Sequence, residues 1–228
     1  MTLGTPRVHR RSTGSTNVDA RQLAIAGAPH GTLVTALEQR DGRGRQGRRW
    51  HAPAGQALLC SFVIREPPPL LPLAAAVAVA ELAGSGAAIK WPNDVLLDGR
   101  KVAGILIEGR PQERWSVLGI GVNVAVRLDE LPAETRGSAA TLGLRPADVE
   151  PSLARLVELL EHWLERTGRE VIAAWAARDA LHGVEVAWAG GRGRGAGVDE
   201  HGRLRVELDD GSAALLDAGE VHLTEAVG

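Results

Sequence analysis

The chain holds one cysteine, Cys60, one phenylalanine and no tyrosine among its 228 residues. A single thiol cannot build an internal disulfide framework, which fits a reducing compartment. The shortage of phenyl rings, beside abundant Ala, Gly and Arg, points to GC-rich coding bias. It also removes the stacking platforms on which single-stranded nucleic acid is held. Neither sign of charge dominates: 26 basic residues against 28 acidic ones leave a net charge of −2, so no global positive field marks a nucleic-acid coat protein. Long apolar runs are missing as well. The longest, Leu70 to Ala83, is interrupted by Pro72 and Glu81 and is too short to span a bilayer, so it reads as a buried helix. The first six residues lack the charged-then-apolar pattern of a signal peptide. A cytoplasmic protein with no membrane partner is expected. His9, His30, His51, His162, His182, His201 and His222 show no metal-ligand spacing. No Gly-x-Ser-x-Gly elbow and no Ser-His-Asp order occur. Neither a resident metal nor a covalent enzyme intermediate is expected, and Cys60, inside an apolar stretch, reads as inert packing.

What is present is ordinary globular material, 44% hydrophobic and 24% charged, enough for one large domain or a catalytic domain with an appendage. No internal repeat is evident. Val8 to Arg11, Thr32 to Leu37, Ala57 to Ile64 and Trp115 to Val124 read as strands. Val95 to Leu97 and Lys101 to Glu108 read as a hairpin, with a type I′ turn at Asp98-Gly99. Helices are predicted over Val18 to Ala26, over Leu70 to Ala83, from Pro151 through Leu164, and from Arg169 to Ala180. Residues 127 to 150 read as an irregular connection. After Gly183 come short runs at Val184 to Trp188, Leu204 to Leu208, Ala213 to Leu216 and Val221 to Leu223, the pattern of a small β-barrel. The fold class expected is α+β, a mixed sheet with flanking helices in residues 1–182 and a β-barrel in 183–228.

Four segments carry candidate chemistry. Gly42-Arg43-Gly44-Arg45-Gln46-Gly47-Arg48-Arg49-Trp50 lies in an unusually long polar loop, Glu38 to Gly55. Its glycines let backbone N–H groups approach an anion, and its four arginines supply planar forks for phosphate or carboxylate. Such a loop repels itself and should order when an anion arrives. It has no Gly-Lys-Ser/Thr ending and is not a Walker loop. Lys90, in Lys90-Trp91-Pro92-Asn93-Asp94, ends an apolar strand and needs an anion, either a ligand's or that of Asp94 or Glu108. Gly119-Ile120-Gly121-Val122-Asn123 places glycines inside a strand, where another backbone or a flat ligand can come close. Ser15-Thr16-Asn17 reads first as helix capping and second as a polar ligand contact.

In this order the segments resemble the biotin–protein ligases. The match adds Gln39, Lys101-Val102-Ala103-Gly104-Ile105-Leu106 and a closing strand at Gly219-Glu220-Val221, and it covers nearly the whole chain. The resemblance implies the fold shared with class II aminoacyl-tRNA synthetases and lipoate ligases, with an SH3-like C-terminal piece. It implies biotin contacts at Ser15, Thr16, Asn17, Gln39, Gly42, Arg43, Gly44, Arg45, Lys90 and Gly104. ATP and adenylate contacts follow at Arg43, Arg45, Arg48, Trp50, Lys90, Asn93 and Asn123, with Lys90 and Arg45 nearest the chemistry. Mg²⁺ is carried in by ATP, and the partner is a biotin carboxyl carrier domain. The chain departs from the family at Asp41, where alanine is usual and an acidic group can pair with a neighbouring arginine. No aromatic after Val124 is identified to cover an adenine. The first motif begins at Ser15, so no N-terminal DNA-binding domain and no DNA partner are expected. Relatives occur as monomers and as homodimers, and no segment decides between them. The rivals are a lipoate–protein ligase of the same fold and a non-enzymatic nucleic-acid binder.

Overall fold

A computed structural model describes residues 2–109, 112–217 and 221–223. Its strands are β1 Arg7–Arg10, β2 Leu33–Ala36, β3 Leu58–Arg65, β4 Ala87–Lys90, β5 Asp94–Leu97, β6 Arg100–Gly109, β7 Trp115–Val122, β8 Glu185–Trp188, β9 Gly191–Val198, β10 Leu204–Glu207, β11 Ala213–Leu216 and β12 His222–Leu223. Its helices are α1 Thr16–Ile25, α2 Leu71–Ala83, α3 Ala133–Arg136, α4 Val149–Leu164 and α5 Gly168–Ala176. Strands β1 to β7 make one mixed sheet in the order β1-β2-β3-β7-β6-β5-β4. Only β1 and β2 run parallel.

The near-continuous apolar run of β3 follows from burial on both faces. Leu58, Cys60, Phe62 and Ile64 join the main core with α2, while Val63 packs with Ala20 and Ala24 of α1 on the other side. Helix α2 is buried almost all round, from Leu73 through Ala80, as expected of a helix apolar on every side. It packs on α4, whose Leu153, Leu156 and Leu160 form a stripe at helical spacing. The predicted Asp98-Gly99 turn is present, with φ of 51° and 72° at its two central residues, the left-handed pair that a type I′ turn needs.

Helix α5 stops at Ala176, short of the predicted Ala180. The residues beyond it extend the sheet edge: Ile89 N–H donates to the Arg178 carbonyl at 2.7 Å, and Ala180 N–H donates to the Ile89 carbonyl at 2.9 Å. Edge pairing outcompetes another helical turn for those backbone groups. Helix α4 starts two residues before Pro151.

The C-terminal segment folds as an antiparallel five-stranded sheet ordered β11-β10-β9-β8-β12. Of the family-like closing strand, Gly219 and Glu220 lie outside the described residues. Strand β9 was not expected, because Gly191-Arg192-Gly193-Arg194-Gly195 has no apolar alternation. Its glycines answer a tertiary demand: a Cβ on Gly193 would sit 2.4 Å from the Glu207 carbonyl oxygen, and one on Gly195 2.2 Å from that of Leu181. The two sheets share a core. Leu181, Val186, Leu204 and Val206 belong to the same buried cluster as α2, and the Trp91 indole N–H donates to the Gly202 carbonyl at 3.1 Å. Among the described residues no helix is long and apolar enough to cross a membrane.

Because the Gly195 contact is backbone on backbone, Gly195→Ala is expected to cost about 1–3 kcal/mol, the scale of overpacking. Thermal unfolding followed by circular dichroism reads this as a lowered midpoint; an unchanged midpoint counts against the close approach.

Candidate functional site

Residues directly opposed across antiparallel strands share one face of the sheet. The register therefore lays Leu59, Gly121, Gly104, Asp94 and Lys90 in one row across β3, β7, β6, β5 and β4. The next row holds Ser61, Gly119 and Leu106. A cavity of about 380 Å³ opens on this face. The glycines make its floor flat. A Cβ on Gly121 would lie 2.7 Å from the Trp50 indole, and one on Gly104 3.1 Å from it. A Cβ on Gly119 would lie 1.9 Å from Asn17 Oδ1. The in-strand glycines thus admit two groups of the chain itself, a ring and an amide.

Ser15 occupies the N-cap position of α1 but its side chain makes no capping hydrogen bond, which corrects the capping expectation. The Thr16 N–H is met instead by Gln39 Oε1 at 2.7 Å, and the same oxygen accepts from Thr16 Oγ1 at 3.0 Å. Ser61 Oγ lies 2.8 Å from Thr16 Oγ1 and 2.6 Å from Asn17 Oδ1, so its single proton serves one or the other. Asn17 Nδ2 donates to Glu108 Oε2 at 2.8 Å. Ser15, Thr16 and Asn17 are all buried and all line the cavity.

The glycine- and arginine-rich segment folds back as a tight hairpin, here termed the strap. Gly44 N–H donates to the Arg48 carbonyl at 2.7 Å and Trp50 N–H to that of Gly42 at 2.9 Å. Its self-repulsion is relieved by carboxylates: Asp41 pairs with Arg49, and Glu108 lies 3.5 Å from Arg43. Asp41, the departure from the family pattern, is therefore engaged by Arg49, which itself borders the main cavity. Arg43, Gly44, Arg45, Arg48 and Trp50 line the main cavity. Gly42 lines a second cavity, of about 590 Å³, between the strap and β6.

Charge is allocated unevenly over the floor. Asp94 pairs with Lys101 at 2.6 Å, and that ammonium lies 5.7 Å from the Trp50 ring centre. Glu108 serves Asn17 and Arg43. Both carboxylates considered as partners for Lys90 are thus taken, and among the described residues no partner is found for Lys90. Asn93 fixes the β4–β5 turn, its Nδ2 donating to the Ile105 carbonyl at 3.0 Å. Asn123 donates from Nδ2 to the Ala140 carbonyl at 2.9 Å while its buried Oδ1 has no partner.

Several lining residues escaped sequence reasoning. Lys101 lay inside a quoted motif, but nothing local marked it as the partner of Asp94. Ser61, which does not line the cavity but bonds to Thr16 and Asn17 that do, was hidden in an apolar strand. Leu131, Thr135, Ser138 and Ala139 complete the wall from the segment read as irregular. They are brought in by Lys101 N–H donating to the Ser138 carbonyl at 2.7 Å and Ala140 N–H to that of Lys101 at 2.8 Å. Cys60 also borders the cavity, and burial pushes its thiol up to about 12. Among the described residues no group of three or more His, Cys, Asp or Glu is arranged to hold a metal ion.

A model of the biotin/lipoate A/B protein ligase family matches residues 8–124. The chain is 40% identical over 152 residues to the bifunctional ligase/repressor BirA of Bacillus spizizenii, an alignment covering 61% of this chain and 47% of that protein. It thus spans about half the length of that relative. It is 36% identical over 227 residues to a biotin–[acetyl-CoA-carboxylase] ligase of Paracoccus denitrificans, covering 90% of this chain and 91% of the other. Among solved structures, the biotin protein ligase from Aquifex aeolicus in complex with biotin and ATP superposes with a TM-score of 0.76 at 27% identity, over 97% of this chain and 100% of that one.

The thiolate is the reactive form of cysteine. With its pKa raised by burial, Cys60 is expected to stay unmodified by iodoacetamide in the native protein at pH 8 and to react once the chain is unfolded. Mass spectrometry of both samples checks this, and rapid labelling of the native protein would contradict the burial argument.

Proposed function

Because the chain belongs to the biotin/lipoate A/B protein ligase family, we propose that it activates biotin with ATP and transfers it to a lysine of a biotin carboxyl carrier domain. The observation that carries this reading is Lys90, a cation without a carboxylate partner among the described residues, on the floor of a cavity that Arg45 and Arg48 also line. A half-buried ammonium with no carboxylate beside it favours an anionic ligand, and the protein's own nearby carboxylates are committed elsewhere.

The reaction runs in two steps. A biotin carboxylate oxygen attacks the α-phosphorus of ATP, and the bond to the bridging oxygen of pyrophosphate breaks, giving biotinyl-5′-AMP. Charge accumulates on the phosphate oxygens, where Lys90 and the strap arginines stabilise it. Mg²⁺ enters with the triphosphate and offsets part of its charge. In the second step the uncharged carrier amine attacks the acyl carbon, AMP leaves, and the amine's proton is released. Arg45 and Lys90, which line the same cavity, are the groups assigned to the reacting phosphate. The strap with Trp50 shields the mixed anhydride from water. Ser15, Thr16, Asn17, Gln39 and Gly104 serve the biotin end. Gln39 Oε1 already accepts two hydrogen bonds from Thr16, so Gln39 offers a ligand its amide N–H. Arg43, Arg48, Asn93 and Asn123 serve the nucleotide end, the unpartnered Asn123 Oδ1 being an acceptor suited to an adenine amine. The wall from Leu131 to Ala139 takes the place of the missing aromatic cover. The catalytic unit ends near residue 182, with the sheet of β8 to β12 appended to it.

Labelled biotin is expected to pass to a carrier domain only when ATP is present; lipoate offered in its place separates the sister activity of the family. No transfer of biotin with ATP would overturn the assignment. Lys90→Ala is expected to lower adenylate formation about 10²-fold or more, the scale on which loss of one charge-stabilising donor is felt. Detection of the adenylate by mass at near-normal rate would remove Lys90 from this role.

A further inference from the structure

Glu108 is a half-buried carboxylate on β6, on the cavity face one row beyond Leu106. Its two oxygens do different things. Oε2 accepts from Asn17 Nδ2 at 2.8 Å, and Oε1 faces Arg43 of the strap at 3.5 Å. The side chains of Arg43 and Glu108 are 53% and 31% exposed. The strap also encloses the second cavity against Leu106 and Glu108, so this is the place where it leans on the sheet.

An ionised carboxylate can only accept hydrogen bonds. The edge of Asn17 that meets Glu108 must therefore be its nitrogen, and the oxygen is turned toward Ser61 Oγ, 2.6 Å away. The Gly119 backbone closes in on the same oxygen: a Cβ there would meet it at 1.9 Å. The Leu106 carbonyl, also an acceptor, lies 3.4 Å from Asn17 Nδ2; the shorter, charge-assisted bond to Glu108 is the stronger of the two that fix the sense of the Asn17 amide. The geometry points to Glu108 as a positioning residue that sets the donor and acceptor sense of Asn17 with one oxygen and holds the strap through Arg43 with the other. One carboxylate thus couples the pocket floor to the cover. The Asn17 half of this inference rests on the biotin-ligase reading; the strap half does not.

Glu108→Gln keeps the shape, removes the charge and allows donation. An exposed ion pair is weak and is screened by salt. With no ligand added, the strap of the wild-type protein should be cut by trypsin about two- to fivefold faster at high ionic strength than at low, a range set by such pairs. Glu108→Gln should be cut at the faster rate at both, after correction for the protease's own salt response on an unfolded substrate. Equal, salt-independent cleavage of the two proteins would overturn the strap coupling. Equilibrium dialysis with labelled biotin and no ATP should show Glu108→Gln binding about three- to tenfold more weakly, the cost of one misdirected hydrogen bond. At saturating biotin, kcat for adenylate formation should change less than KM. Unchanged biotin affinity would overturn the Asn17 assignment. If the wild-type protein bound no biotin at all, the functional reading would fail, while the cleavage comparison would still decide the strap coupling.

Discussion

The cavity has the depth it has because two facing positions, Gly104 on β6 and Gly121 on β7, carry no side chains. They are direct cross-strand partners, and together they let the Trp50 indole come down on the backbone, with 2.7 Å between one ring atom and the place a Cβ would take on Gly121. That contact draws the end of the strap over the sheet. Lys101 then lies over the same ring at 5.7 Å, and its ammonium is brought to Asp94. Floor, cover and nearest ion pair all follow from the absence of two methyl groups.

The allocation of charge follows in turn. Asp94 is opposite Lys90 in the β4–β5 register, and on sequence grounds alone those two would be expected to neutralise each other. Trp50 and the wall from Leu131 to Ala139 hold Lys101 in place to take Asp94 instead. The outcome is a pocket with surplus positive charge inside a protein whose net charge is −2. Anion affinity here is a property of pairing rather than of composition.

The fold was legible where the signal is local. The apolar run of α2, the helical periodicity of α4, the apolar runs of β3 and β7, and the Asp98-Gly99 turn each state their structure within a few residues. Strand β9 was illegible because its glycines answer to Leu181 and Glu207, partners visible only once the chain has folded. Likewise the end of α5 is set by edge pairing with Ile89. At the site, motif resemblance located most lining residues of the first 123, missing Arg49, His51, Cys60, Leu96 and Gly99, and gave no account of how they interlock. That Gln39 rather than Ser15 meets the first N–H of α1, and that Ser61 lies between Thr16 and Asn17, depends on side chains separated by 23 to 45 positions. The far wall was missed because its residues carry no pattern and are held through backbone bonds to Lys101.

The hydrogen bond from Trp91 to the Gly202 carbonyl links the residue next to Lys90 with the turn between β9 and β10. Leu70 and Leu73, at the start of α2, close on the same glycine, whose φ is +79° and whose Cβ position is 3.4 Å from Leu70. A C-terminal sheet seated this way is not an exchangeable cassette. A chimera that swaps it for a relative's must bring along matching residues at 70, 73 and 91, or Lys90 inherits a displaced neighbour. For the same reason the two sheets should lose their structure in one cooperative transition rather than in two.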